Sequence, residues 1–342
     1  MLKPLTVIAA VLCVTGLGLY VYDWNSTEGP KTRRGQLLIV DLDTKSLKAL
    51  RIRSEKGILE LHQSKGGEWR EKGLDYPLAE GKIQDLLLEL TKLKLGDLVT
   101  DNPERHERFQ LLDPPESQED WDENRHSLVL SMLKGDGSTL FNLRLGKDRE
   151  QGSGQYVRYA GDDDVYLLPE TLFIDTDPND WLEKNLLTIN KEDFRKVTIH
   201  HFDEEPFSLL YDNSTSSWSM VAGGELKESE VESMVDRLTK LNFTTLVEGD
   251  PPDNKTGRSR LSRVELLLYD GKIYNLGLGE NENAEGNHVL NLRMSIQMDS
   301  DSEEFLSEMK AFNHKVSSRL YEIRSWEAKD LLMKRADFLE GG

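Results

Sequence analysis

Ile83-Gln84-Asp85-Leu86-Leu87-Leu88-Glu89-Leu90-Thr91-Lys92-Leu93 returns 148 positions later as Val231-Glu232-Ser233-Met234-Val235-Asp236-Arg237-Leu238-Thr239-Lys240-Leu241. Five apolar positions at i, i+3, i+4, i+7 and i+10 lie on one face of an α-helix, so the spacing predicts helices over roughly 80–95 and 230–241 with that face in a core. The string Leu-Thr-Lys-Leu recurs intact inside both. In the same register Val99 meets Val247, and Trp69 meets Trp218 with a slip of one residue. Upstream, Leu47, Leu50 and Ile52 meet Phe194, Val197 and Ile199. Downstream the offset falls to 133, where Leu145-Gly146 meets Leu278-Gly279, and to 135, where Arg158 meets Arg293. About fourteen residues therefore differ between helix and strand, where a surface loop absorbs length at small cost. The expectation is two tandem copies of one unit.

Around each helix the sequence predicts strands. In the first copy Leu37–Leu42 reads as a buried strand, followed by alternating strands near 49–53 and 58–62 and a Lys-Gly-Gly-Glu-Trp turn. Strands near 127–133, 140–145, 155–159 and 165–168 complete it, with Gly-Asp-Gly and Gly-Asp-Asp-Asp at the turns. The second copy repeats the scheme near 196–201, 207–211, 263–269, 273–278 and 288–293, with Ser229 and Glu232 as a capping box for its helix. Asp177–Leu187 joins the copies. Leu320-Tyr321-Glu322-Ile323 resembles the start of a third copy that stops there, and Trp326–Leu339 reads as a closing helix. Many strands per helix, joined by hairpins, give an α+β class with antiparallel sheets. The expected domains are an anchor over 1–22, a polar stalk over 23–35, repeats over 36–186 and 187–325, and a helix and tail over 326–342.

Residues 4–22 carry no charge and reach roughly 27–29 Å as a helix, near the hydrocarbon thickness of a bilayer. They end in Leu-Tyr-Val-Tyr-Asp-Trp, an interfacial aromatic belt, and no small-x-small cleavage site follows. A single transmembrane helix is expected, with a cleaved signal peptide as the rival reading and Cys13 as a passive residue within it. Lys3 on one side against Lys31, Arg33 and Arg34 on the other favours a cytoplasmic domain by local charge. A short amino-terminal tail before a large domain resembles a signal anchor and favours the opposite side. The net charge of −19 argues against nucleic acid and anionic headgroups as partners of the soluble part. With Cys13 the only cysteine, disulfides and thiolate metal sites are excluded beyond the anchor.

The anchor, the Gly-x-Trp turn, the Leu-rich helix ending in Lys-Leu, Leu145-Gly146, Tyr156-Val157-Arg158 before Val165-Tyr166-Leu167-Leu168, and Asp180-Trp181-Leu182 resemble the domain-of-unknown-function family numbered 4340. That resemblance implies a bacterial single-pass protein with its soluble part outside the inner membrane, in the periplasm. Such proteins are often encoded beside an ABC transporter of the gliding-motility type and its auxiliary membrane protein. The family brings no established catalytic residues. The acidic loop at 113–124 and the Leu-Gly-x-Gly-Glu-Asn-Glu-Asn string of the second copy depart from its pattern.

Candidate chemistry is sparse. His200 and His201, followed by Asp203, Glu204 and Glu205, form the densest set of possible metal ligands, yet adjacent residues of a strand face opposite sides. Asp162-Asp163-Asp164 and the acidic run 299–304 lack the glycine and distal glutamate of a calcium loop. Gly152-Ser153-Gly154 precedes a strand and lacks the helix amino-terminus of a phosphate cradle. His62, His106, His126, His288 and His314 stand in unrelated contexts, and no nucleophile elbow is present. Asn25, Asn213, Asn242 and Asn254 open Asn-x-Ser/Thr triplets to which we assign no role. No cofactor, metal or catalytic residue is expected.

Two features remain as interaction surfaces. The loop 113–124 places Asp120, Asp122 and Glu123 around Trp121, a pattern suited to a basic partner unless Trp121 is tucked onto its own domain. Arg158 and Arg293 sit at matched places and suit an anionic ligand unless each closes an internal salt bridge. Trp69 and Trp218 are expected as core anchors. The expected function is a non-enzymatic, membrane-anchored periplasmic accessory subunit, partnered by an inner-membrane ABC transporter permease or auxiliary membrane protein and by the lipid bilayer through its helix. A binding module for an envelope polymer or lipid is the alternative, and an envelope hydrolase a third.

Overall fold

The structure is a computed structural model describing residues 33–249, 251–282, 286–296 and 302–341. The anchor expected over 4–22, with Cys13 and most of the stalk, lies outside these residues, as do residues 299–301 of the acidic run 299–304. Among the described residues, no helix is long and apolar enough to cross a membrane. The fold is sheet-rich α+β, and the chain divides into two compact units. One holds the described residues up to His62 together with Gly81–Thr176; the other holds Gln63–Glu80 together with the chain from Asp177.

The first sheet is built from β1 (Leu47–Ser54), β2 (Gly57–Gln63), β3 (Trp69–Glu71), β4 (Tyr76–Pro77), β5 (Leu98–Thr100), β6 (Leu128–Lys134), β7 (Thr139–Asp148), β8 (Gln155–Tyr159) and β9 (Val165–Leu168). Its strand order is β4-β3-β2-β1-β6-β7-β8-β9-β5. Alternation sets the inner face: in β1, Leu50 and Ile52 are buried while Arg51 pairs with Glu60 on β2 at 3.0 Å. Helix α1 (Lys82–Lys92) lies between β4 and β5 in sequence and buries Ile83, Leu86 and Leu90. The third position of the stripe, Leu87, is only half-buried.

The second unit contains β10 (Asn185–Thr188), β11 (Phe194–His200), β12 (Phe207–Asp212), β13 (Ser217–Met220), β14 (Lys240–Asn242), β15 (Thr245–Val247), β16 (Leu261–Leu268), β17 (Lys272–Glu282), β18 (Asn287–Ile296) and β19 (Leu320–Arg324). Its main sheet has the order β13-β12-β11-β16-β17-β18-β19-β15, and β10 pairs with β14. Helix α2 (Glu228–Thr239) buries Val231, Met234, Val235 and Leu238. A short α3 (Asp253–Thr256) precedes β16. Helix α4 (Glu303–Val316) packs across β17 and β18, with Phe312 5.5 Å from Tyr274 and the Asn313 amide exchanging two hydrogen bonds with the Met294 backbone. Helix α5 (Ser325–Leu331) follows β19.

Several expectations are corrected. Leu37–Leu42 is not a strand: the segment bends, touching a strand-like partner only at Leu37–Lys94, and buries Leu38 and Ile39 while Val40 is 65% exposed. Leu320–Ile323 opens no third copy, because it is the core of β19, paired with β18 and β15. The closing helix stops at Leu331, where the Leu332 N–H turns back to the carbonyls of Ala328 and Lys329. Ser229 does not cap α2, which starts two residues earlier than expected, at Glu228, with Lys227 as N-cap and no side-chain cap. Helix α4 was not expected at all.

Candidate functional site

The second unit carries an open cleft of about 740 Å³ beside β15, the last strand of its sheet. One wall is the edge strand and its continuation, Leu246 to Gly249. A second is the turn Ser317-Ser318-Arg319 that brings α4 into β19. The Gly73-Leu74 turn and Asn291 complete the lining. The α4 wall exists because the β18–β19 connection carries a helix, whereas β8 and β9 are joined by Ala160–Asp164 alone.

Arg319 organises the rim. Its guanidinium donates to the carbonyls of Leu74 at 2.7 Å and Asp75 at 2.9 Å, holding the turn from outside the strand register. It also lies 5.2 Å from the centre of the Tyr76 ring, and Lys315 Nζ lies 5.8 Å from the same ring centre, so two cations approach one aromatic ring. Tyr76 is fully buried against Phe243 and Tyr321, at 5.7 and 6.3 Å. Burial pushes the Tyr76 phenol up to about 12 and raises Tyr321 as well, so both stay protonated throughout the physiological range. Burial also lowers the Lys315 pKa against the attraction of Glu183 and Glu68. The edge strand is itself engaged, since the Leu246 N–H donates to Asn179 Oδ1 at 2.8 Å. Arg319, Asn291, Glu248 and two serines give this cleft a largely polar lining.

The residues singled out in sequence are not brought to this cleft. Trp121 is half-buried, with the Arg53 guanidinium 5.7 Å from its ring and His126 5.8 Å away. Its loop is pinned: Gln118 Nε2 donates to the carbonyls of Ser54 and Glu55, Arg53 donates to that of Pro115, and the Asp122 N–H donates to His126 Nδ1. Asp120 and Glu123 remain exposed and Asp122 is half-buried, but the cation position over Trp121 is already occupied from within the unit.

Arg158 is 4% exposed and closes an internal network, donating to Asp113 Oδ1 and the Leu111 carbonyl at 3.0 Å and to the Asp162 carbonyl at 3.1 Å. Arg293 is exposed and stands opposite Asn275. The two are not equivalent in register. Val157 faces Leu145 and Leu290 faces Leu278, so the place of Arg158 is taken in the second sheet by Asn291, which lines the cleft. The Asp113 carboxyl feels burial, which raises its pKa, but Arg144 and Arg158 outweigh this and hold it below the usual carboxylate range.

His200 points to solvent while His201 Nε2 bonds the Met333 carbonyl at 3.0 Å, so the pair does not converge. Among the described residues no group of three or more His, Cys, Asp or Glu is placed to hold a metal ion. The Asp162–Asp164 run is a hairpin turn, with Asp162 capping Asp164 and binding Arg33, and Asp164 accepting from the Tyr166 hydroxyl. Trp69 and Trp218 are half-buried and not core anchors, Trp218 lying across from Tyr211 at 5.0 Å.

The sequence profile described as Domain of unknown function (DUF4340) matches residues 69–260, more than half of the chain. The chain belongs to the DUF4340 family. No curated protein and no solved structure matches it. The DUF4340 match begins at Trp69, at the head of β3, and ends at Arg260, just before β16. It therefore contains the Gly73-Leu74 and Leu246–Gly249 walls of the cleft, while Asn291 and Ser317–Leu320 lie beyond it.

Proposed function

We propose that the chain is a non-enzymatic accessory subunit of an envelope complex, anchored by residues 4–22, with two tandem α+β copies outside the inner membrane that contact an ABC-type permease or its auxiliary membrane protein. The observation that carries this reading is the shared strand order. From β3-β2-β1 through β6-β7-β8-β9 to β5, the first sheet has the sequence of pairings that runs from β13-β12-β11 through β16-β17-β18-β19 to β15 in the second. Each helix falls between the third and fifth strand of its series. A duplicated scaffold whose clustered ionisable groups serve its own packing is suited to presenting surface, and one surface where the two copies differ is the α4-lined cleft. Family membership supports the same reading, since the resemblance implies the neighbourhood of a transporter.

The polar lining of that cleft favours a second reading, an envelope polymer bound in a groove of a size typical of ligand sites, about 300–1,000 Å³. Affinity purification of the intact tagged protein in mild detergent, beside a matched chain lacking residues 1–35, separates the two. Transporter subunits recovered with the intact chain are expected under the first reading. An intact chain recovered without protein partners refutes it and leaves the polymer.

A further inference from the structure

Two short segments of the second unit dock in the same way. At the first, Leu78 bridges to Leu182, the Ala79 N–H donates to the Trp181 carbonyl at 2.8 Å, and the Glu183 N–H donates to the Pro77 carbonyl at 2.9 Å. At the second, Leu226 bridges to Leu339, the Lys227 N–H donates to the Phe338 carbonyl at 2.9 Å, and the Glu340 N–H donates to the Glu225 carbonyl at 2.9 Å. Receiving residues 77–79 and 225–227 are 148 apart, the offset of the helices they precede. The docked segments share Asp-aromatic-Leu-Glu, as Asp180-Trp181-Leu182-Glu183 and Asp337-Phe338-Leu339-Glu340, each led in by a 3-10 turn and each with its aromatic ring buried.

The second docking has further complementarity. The Phe338 ring lies 5.7 Å from Phe207. Gly224 has a left-handed backbone, φ 114°, and a Cβ there would strike the Leu339 side chain, so the groove is shaped to this leucine. His201 holds the Met333 carbonyl and Glu204 pairs with Lys334 just upstream. The densest histidine and acid cluster of the sequence thus serves as a latch for this segment.

We propose that residues 224–227 form a recognition site for Asp-aromatic-Leu-Glu segments, occupied in this structure by residues 337–340 and able to take the same motif in trans, from a second copy of this chain. The binding groups are mainly backbone, which supply affinity for any extended segment, while the aromatic and leucine side chains supply selectivity. The inference stands on this hydrogen-bond pattern and holds whatever partner the whole protein serves.

The test uses the full chain with a protease site inserted between Leu332 and Met333, cut in the folded state and freed of the released segment by gel filtration. A fluorescent peptide spanning Lys334–Glu340 is expected to bind the cut protein, a peptide spanning Pro178–Lys184 to compete, and a Phe338→Ser peptide to bind at least about 10-fold more weakly, the scale of a lost buried aromatic. A cut chain that keeps its circular dichroism yet does not bind, or binding indifferent to Phe338→Ser, overturns the proposal. If cutting unfolds the chain, the uncut chain decides, with residues 335–340 replaced by Pro-Asn-Asp-Trp-Leu-Glu or by a scramble of the same six. The replacement is expected to keep the Lys227 and Glu340 amides protected from exchange, and the scramble to speed them about 100-fold. Equal exchange in replacement and scramble overturns the proposal.

Discussion

At Gly146 and Gly279 a methyl group would run into a backbone carbonyl oxygen, that of Phe109 in one case and of Thr256 in the other. The obstacle is main chain and cannot swing aside, so Gly146→Ala and Gly279→Ala should each cost about 2–3 kcal/mol in urea unfolding, the scale of overpacking in a filled core. Arg319→Ala removes two charge-assisted hydrogen bonds to the 74–75 turn; a loss of about 2 kcal/mol is expected, and Arg319→Lys should not restore it because one ammonium cannot reproduce the fork. Asp113 carries a sign that pH reads out. Its folded pKa lies below the unfolded value, so its contribution is present above roughly pH 4 and is lost as pH falls through the folded pKa. Asp113→Asn should therefore lower Tm at pH 7, with the gap to the parent closing in acid. Arg158 and Asp113 are distant in sequence, and their pairing was legible only as the bland alternative of an internal salt bridge. The Arg319 contacts span about 245 residues and left no local signal at all.

Among elements, the helices were legible because a stripe of Leu and Val at helical spacing has one reading. Leu90 and Leu238 are fully buried while Leu88 is 52% exposed. Leu90→Ala and Leu238→Ala should each cost about 2–5 kcal/mol and Leu88→Ala under about 0.5 kcal/mol, measured by chemical denaturation. Equal costs at Leu88 and Leu90 would mean that α1 presents a different face. Hairpin strands were legible through their turn residues, whereas Leu37-Leu38-Ile39-Val40 was misread because an unbroken apolar run fits a buried strand and a bend alike. Helix α4 was invisible for a related reason: only Val316 of its residues is buried, so its pattern is too weak to stand against the acids that precede it. The offset that made Arg158 and Arg293 partners failed because strand register, set by which residues face Leu145 and Leu278, differs from the offset of like letters by two positions.

For the molecule as a whole, the two sheets share a strand order and an Asp-aromatic-Leu-Glu segment docks twice, and on the duplication proposed above α4 is one departure of the second sheet from the first. If that departure is the working surface, contact with a partner should be local to the cleft. The most direct measurement places a photoreactive benzoylphenylalanine at Ser318, exposed on the cleft rim, or at Ile58, exposed on β2, and irradiates intact cells producing the full chain. The account predicts a cross-link from position 318 to a transporter permease or its auxiliary membrane protein, and none to either from position 58. Cross-links to such a subunit that are equal from both positions, or absent from 318, would contradict it.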